Sequence, residues 1–491
     1  MKYLLGIDFG GGASKATLID TNGNIIAENT VEYPTLYFEG GGCEQSPSEW
    51  KEALSENVKA ILDWGKISAS DILGVALDSA THTFLPADES FNPLSNAIHW
   101  TDTRSAIIAR KLRETHGSMI FEKTFHKPDT IWTLPQLIWL RENKPEVFSK
   151  MAYVFFEKDY LRYLLTGVYC TDYIEAEGSM LFNCNTMTWD EGLCDLCGIS
   201  THMLPEIKNP TDVVGCVTKE AAEFTGLAEG TKVICGTTDT ALEILASGAV
   251  APGDITVKLA TAGRICVITD KPYPDRHLVN YSHVEKGLWY PGTATKAAAS
   301  SYRWYRDTFG GDYPELDREA EKIPVGSEGL VYHPYLKGEL TPYADPTLAA
   351  SFVGMRATHK KAHFSRAVLE GVAMSLLDSK EYLDSLGIEH NRTATLIGGG
   401  AKSKLWANIV SDALGIDLKI ADSSDSSLGS AMLLGVALGI FKNFDEAVKL
   451  SVKFKATISP NPENTAKYKQ LFAKYKKIQS ALAQIYNEYN I

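Results

Sequence analysis

No apolar run in this chain approaches the roughly 20 residues that a membrane-crossing helix needs. A helical membrane protein is therefore not expected. Excess positive charge is missing too: 48 Lys and Arg stand against 61 Asp and Glu, a formal charge of −13. So acidic a chain is poorly suited to nucleic acid or to an anionic membrane surface, and neither is expected as a partner. Cysteine is sparse, eight in 491 residues, and its scatter suits reduced thiols better than a disulfide framework. Cys194 and Cys197 form a CxxC, but the second pair that a zinc site needs is absent, so plain thiols are expected. The start of the chain lacks the apolar core of a signal peptide and runs from one lysine into a strand-like stretch containing Asp8. A cytoplasmic enzyme is the expectation. Also missing is a GxGxxG loop between a strand and a helix, which argues against a dinucleotide-dependent redox enzyme.

What is present fits a large globular α/β protein. Hydrophobic residues make up 44% and charged residues 22%. The length calls for at least two domains. Leu4–Ile7, Ala16–Ile19 and Ile25–Glu32 read as strands, with Asn22-Gly23 as a hairpin turn. Gly10-Gly11-Gly12 therefore joins two strands rather than opening a helix. After Pro252-Gly253 the pattern restarts: Ile255–Leu259, a turn at Ala260–Gly263, then Ile265–Thr269. The likeness of the two stretches reads as an internal repeat, with a boundary at Ala249–Gly253. Helices are expected over Ser48–Trp64, Thr103–Glu114, Leu134–Asn143, Lys158–Leu165, Thr240–Ser247, Phe364–Leu377, Ser403–Gly415, Ser427–Leu438 and Glu463–Tyr489.

Three constellations carry chemistry. The first is the set of strand-end turns Gly10-Gly11-Gly12, Ala260-Thr261-Ala262-Gly263 and Gly398-Gly399-Gly400. Small residues let backbone amides close on an anion. Spread over two halves, the turns suggest a bound nucleotide, and Asp8 can then hold Mg²⁺ against its phosphates. Taken alone, Asp8 is equally an ordinary turn residue. The second is Asp239, at a strand end and a helix start, readable as a helix cap or as the base that orients an attacking hydroxyl. The third is the group Asp78, Thr81, His82, Trp100, Asp102 and Arg104, whose polar and aromatic side chains suit a polyol.

Together these residues resemble the FGGY family of carbohydrate kinases along essentially the whole chain. The resemblance rests on IDFGGGASKATLID, HWTDTR, KDYLRYLLTG, the Asp239 turn, PGDITVKLATAG, SYRWYRD, GGGAKSKLWANIVSDALG and SSLGSAML. It implies an α/β fold of two ribonuclease-H-like domains, of the actin/hexokinase-like ATPase kind, with a cleft between them. The N-terminal domain would be 1–250 and the C-terminal domain 251–491. It also implies ATP and Mg²⁺ as cofactors and admits a homodimer. Asp239 would be the catalytic base and Asp8 would serve the metal. Thr81, His82, Trp100, Asp102, Arg104 and Thr240 would meet the sugar. Gly10, Gly11, Gly12, Lys15, Thr261, Gly263, Ala299, Arg303, Gly399, Gly400 and Lys404 would meet the nucleotide.

Four departures stand out. Gly11 and Gly12 replace the family's hydroxyl residues, the second loop reads Ala260-Thr261-Ala262-Gly263, Thr240 follows the base, and Ala80-Thr81-His82 stands for Gln-Met-His. The expected reaction is phosphorylation of a terminal sugar hydroxyl, with D-xylulose leading. Gluconate, L-xylulose and ribulose are alternatives, and an inactive sugar-binding regulator is the alternative from another class.

Overall fold

The computed structural model describes residues 1–64 and 66–489. The chain forms two compact units. The first holds a mixed sheet of β1 (Tyr3–Phe9), β2 (Ala13–Asp20), β3 (Ile25–Glu32), β4 (Ile72–Ser79), β5 (Val213–Cys216) and β6 (Lys232–Ile234). Its order is β5-β6-β4-β1-β2-β3. β1 runs antiparallel to β2 and parallel to β4, β4 is parallel to β6, and β6 is antiparallel to β5. Leu4, Leu5, Ile7 and Phe9 are fully buried, as expected of a strand covered on both faces. The β2–β3 turn carries Gly23 at φ 81°, and Asp20 accepts from the amides of Asn22 and Asn24.

The second unit repeats the plan. It contains β7 (Ile255–Leu259), β8 (Gly263–Val267), β9 (Thr393–Ile397), β10 (Asp417–Ala421) and β11 (Phe454–Ile458), in the order β8-β7-β9-β10-β11. The senses match those of β2-β1-β4-β6-β5: antiparallel, parallel, parallel, antiparallel. The internal repeat read from two short stretches thus extends through five strands. The tail helix Pro462–Tyr489 buries Tyr468, Phe472 and Tyr475 along one stripe. Among the described residues no helix is long and apolar enough to cross a membrane.

The structure corrects two readings and adds a sheet. The units are not the contiguous 1–250 and 251–491, because Tyr281–Gly287 and Ser423–Val452 belong to the first unit. The cause is close packing: a Cβ on Gly6 of β1 would stand 2.0 Å from the Ser427 carbonyl oxygen, so the helix Ser426–Ala437 lies directly on β1. The helix expected over Thr103–Glu114 covers Ala106–Thr124 and passes through Gly117 unbroken. The segments Thr35–Phe38, Gly42–Gln45, Phe84–Ala87, Ala97–Ile98 and Tyr153–Phe156 form a second sheet of the first unit. These strands are too short to show a period of their own.

Candidate active site

In the first unit, β1 and β4 run in parallel register and place Asp8 beside Asp78. Asp78 is fully buried, and its Oδ2 accepts from Ser430 at 2.6 Å. It is therefore not a polyol ligand but part of the floor under Asp8. The two carboxyls lie within hydrogen-bonding reach of each other, a contact that needs a proton. Burial raises both well above the ordinary carboxylate range, with Asp239 adding to the rise. Oδ1 of each is enclosed and has no donor among the described residues. Glu157 joins this acidic floor. It is fully buried and raised by burial and by Asp8, Glu175 and Asp239, and the sequence reading missed it.

The turn after β1 fixes its carbonyls and leaves amides over. Tyr33 donates its hydroxyl to Gly10 O at 2.5 Å and its amide to Gly12 O at 3.1 Å, and Thr35 Oγ1 donates to Gly11 O. No acceptor for the amides of Gly11 and Gly12 is found among the described residues. Such a pair of backbone donors is an anion cradle. Lys15, expected on the nucleotide, is instead bound to Glu28 at 2.7 Å and to Asp425.

Asp239 opens the helix Asp239–Ala246 and is partly exposed. The cap position is Thr238, so the capping reading of Asp239 does not hold. Its Oδ1 accepts from the Thr240 amide at 2.5 Å and from Thr81 Oγ1 at 3.5 Å. Thr81, Asp239 and Thr240 are thus brought together. His82 lies next to them, at φ 73°, with its amide donating to Glu175 Oε1 at 2.9 Å. Its ring contacts Trp132, centroid to centroid 4.8 Å.

The rest of the polyol group is arranged differently. Trp100 is partly exposed against His99. Asp102 accepts from Cys43 N at 2.7 Å and from Arg104 Nε at 2.8 Å, and Arg104 also binds Glu44 at 2.9 Å and lies over the Trp139 ring. Asp102 and Arg104 therefore build the wall of this unit. Their short spacing in HWTDTR lets the two pair with each other.

In the second unit the remaining expected residues gather around the end of β7. The turn carbonyls of Ala260 and Thr261 accept from Ala299 N at 2.7 Å and Ala298 N at 3.0 Å. This docks the helix Ala299–Phe309 on the turn, and Arg303 is exposed one turn along it. Gly263 begins β8. Gly398 and Gly400 press on Leu259, whereas a Cβ on Gly399 would meet nothing within 4 Å. Ser403 caps the helix Lys404–Leu414, whose first residue, Lys404, is exposed. Buried Cys194 and Cys197 are free thiols pushed up to about 12 by burial, and no metal-binding group of three His, Cys, Asp or Glu occurs among the described residues.

Comparison with known proteins decides the family. Residues 3–246 match the N-terminal domain of the FGGY family of carbohydrate kinases, and residues 256–438 match its C-terminal domain. The chain belongs to this family. It is 33% identical to the xylulose kinase of Bacillus subtilis over 97% of each chain. The ligand-bound xylulose kinase of Lactobacillus acidophilus superposes with a TM-score of 0.93 at 27% identity, covering 100% of both chains. The gluconate kinase of Lactobacillus acidophilus gives 0.93 at 28% identity over 99% of each. The FGGY fold of two domains, and an activity of the carbohydrate kinase class, follow for this chain.

Two further acids of this kinase escaped the sequence reading. Glu175 and Glu177, on the helix Tyr173–Gly178, are fully buried and each pushed up to about 8 by burial. Their signal was two glutamates inside the otherwise apolar stretch of YIEAEGSMLF. A carboxyl raised on folding keeps its proton where the unfolded chain has lost it, so stability is present at low pH and falls as pH rises toward about 8. The thermal midpoint of the ligand-free protein is expected to drop between pH 5 and pH 8, and less steeply in Glu177→Gln. A midpoint that climbs across this window, with the same slope in the variant, would contradict it.

Proposed function

We propose that this chain is an ATP- and Mg²⁺-dependent ketose kinase that converts D-xylulose to D-xylulose 5-phosphate. The observation that carries the reading is Asp239, a partly exposed carboxylate at a helix start, joined to the Thr81 hydroxyl and the Thr240 amide. Asp239 takes the proton of the sugar's terminal hydroxyl as that oxygen attacks the γ-phosphorus. The bond to the β-phosphate oxygen breaks and ADP leaves. The Gly11 and Gly12 amides supply fixed donors to phosphate oxygens, and His82 and Thr81 orient the sugar.

A hard divalent cation fits the acidic floor. Asp8 and Asp78 offer enclosed oxygens without donors, and the hydrogen-bonding neighbours of these two carboxyls are hydroxyls and acids. Asp8, the partly exposed member, would hold Mg²⁺, with Asp78 behind it. When bound, the ion neutralises charge on the phosphate oxygens. In the second unit, Thr261, Gly263, Ala299, Arg303, Gly399, Gly400 and Lys404 are assigned to the nucleotide. The Lys15 ammonium, already paired with Asp425 and Glu28, is assigned to pinning the hairpin.

A neutral ketose is favoured over a sugar acid by two cations. A carboxylate substrate needs a cationic partner, and two cations of the first unit, Arg104 and Lys158, are already engaged. Arg104 is held by Asp102 and Glu44, and fully buried Lys158 by Asp159 at 2.6 Å and Asp172 at 2.8 Å. A coupled ADP-release assay over D-xylulose, L-xylulose, ribulose and gluconate tests this. D-xylulose is expected to give a kcat/KM at least about tenfold above gluconate. A preference for gluconate would refute the ketose assignment, and tight sugar binding without turnover on any of the four would refute the kinase assignment for this chain.

A further inference from the structure

The stretch KDYLRYLLTG buries three charged side chains, Lys158, Asp159 and Arg162, on the helix Glu157–Thr166. A fourth, Asp172, is buried at the end of the strand Cys170–Asp172. Lys158 Nζ lies 2.6 Å from Asp159 Oδ1 and 2.8 Å from Asp172 Oδ2, and Arg162 Nη1 donates to Asp159 Oδ1 at 2.8 Å. Two cations thus balance two carboxylates inside the first unit. Such a network adds little stability over apolar side chains of the same volume, so stability alone does not account for it. What it grips does. Arg162 Nη1 also donates to the Cys235 carbonyl at 2.7 Å, and the Thr237 hydroxyl donates to Asp172 Oδ1 at 2.7 Å. Both are on the short segment that delivers Asp239. Between them Gly236 sits at φ 72°, where a Cβ would stand 2.1 Å from the Leu77 carbonyl oxygen, so the segment is also pressed onto β4. Thr237 and Thr238 pair with Asp78 and Ser79, and the Lys158 amide donates to Ser79 Oγ at 3.2 Å.

We propose that Lys158 is a positioning residue for catalysis, whose ammonium, through Asp172 and Thr237, holds the Asp239 carboxylate in place. The proposal deepens the functional reading above and rests on Asp239 as the base. Lys158 bridges Asp159 and Asp172, so the grip on Cys235 and the grip on Thr237 share one cation. Its amide meets the end of β4, which runs on to Thr81, and its ammonium acts on the segment that runs on to Asp239. The register of these two stretches sets the Thr81–Asp239 approach of 3.5 Å. The base must lie within hydrogen-bond reach of the hydroxyl it deprotonates, and a misplacement of about 1 Å costs about 10²-fold in rate. The ammonium itself is fully buried between two carboxylates and does not meet the sugar. Its influence therefore falls on kcat and not on binding.

Thr237→Val keeps the β-branched shape and removes the hydroxyl that ties the segment to Asp172. It is expected to lower kcat about tenfold, the effect of one lost hydrogen bond to a charged acceptor, with the sugar and ATP KM values within about twofold of wild type. Lys158→Met alone strands a buried carboxylate and is expected to destabilise the fold. Lys158→Met combined with Asp172→Asn removes one charge of each sign and keeps an oxygen for the Thr237 hydroxyl. Its thermal midpoint should return close to wild type while kcat stays at least about tenfold down. A double variant with wild-type kcat would overturn the proposal, because the cation would then only neutralise Asp172. So would a Thr237→Val enzyme with wild-type kcat, or one whose loss lies in KM. Asp239→Asn measured beside them separates the two readings. Collapsed turnover in Asp239→Asn with an intact Thr237→Val removes the role of Lys158 alone, whereas an active Asp239→Asn removes the base assignment and the proposal with it.

Discussion

Asp239→Asn is expected to lower kcat about 10³-fold, with the KM values for sugar and ATP within a few-fold of wild type. The side chain keeps its shape and its place at the start of Asp239–Ala246, but it can no longer accept the hydroxyl proton. Its other interactions are modest. The carboxylate accepts the Thr240 amide at 2.5 Å and the Thr81 hydroxyl at 3.5 Å, and an amide oxygen can do the same. Loss of a negative charge from the first helical turn costs about 0.3–1 kcal/mol, so the fold survives. A steady-state assay with D-xylulose and ATP, together with binding measured by calorimetry, reads both halves of the expectation. Turnover within tenfold of wild type would place the base elsewhere.

The sequence made the backbone of this site legible and hid much of its packing. Short apolar runs broken by small-residue turns, with Asn22-Gly23, placed the β1–β3 hairpins, and the second hairpin at Ile255–Leu259 showed the repeat. Asp8, Asp239 and the three small-residue turns stood out because each breaks a strand end with residues that a plain turn does not require. Asp78 was misassigned because proximity in sequence to Thr81 and His82 suggested a shared role. The parallel pairing of β1 with β4 instead sets it beside Asp8. The ion pair of Asp102 and Arg104 was hidden for the converse reason: its partners, Glu44 and the Cys43 amide, come from a strand about 60 residues earlier, too short to predict. The late motif SSLGSAML was recognised, but its place under β1 was not, because contiguity in sequence says nothing of a helix that returns to the first unit.

Gly178→Ala should be the most damaging conservative change at the sugar end. Gly178 ends the helix Tyr173–Gly178 with an ordinary backbone conformation, so alanine is allowed locally and even favoured by helix propensity. A Cβ there, however, would stand 1.9 Å from His82 Cε1 and 2.0 Å from His82 Nδ1. The ring cannot step aside freely, because Trp132 lies at 4.8 Å and Tyr281 holds Nε2 at 2.9 Å. Overpacking of this kind costs about 1–3 kcal/mol and displaces the side chain it meets. The expected result is a D-xylulose KM raised at least about tenfold, an unchanged ATP KM and a lowered thermal midpoint. The double variant Gly178→Ala with His82→Ala separates strain from recognition. Removing the imidazole makes room for the new methyl, so the midpoint should recover while the sugar KM stays high. Recovery of both would mean that the imidazole only fills space, and that the sugar is recognised by other groups around Asp239.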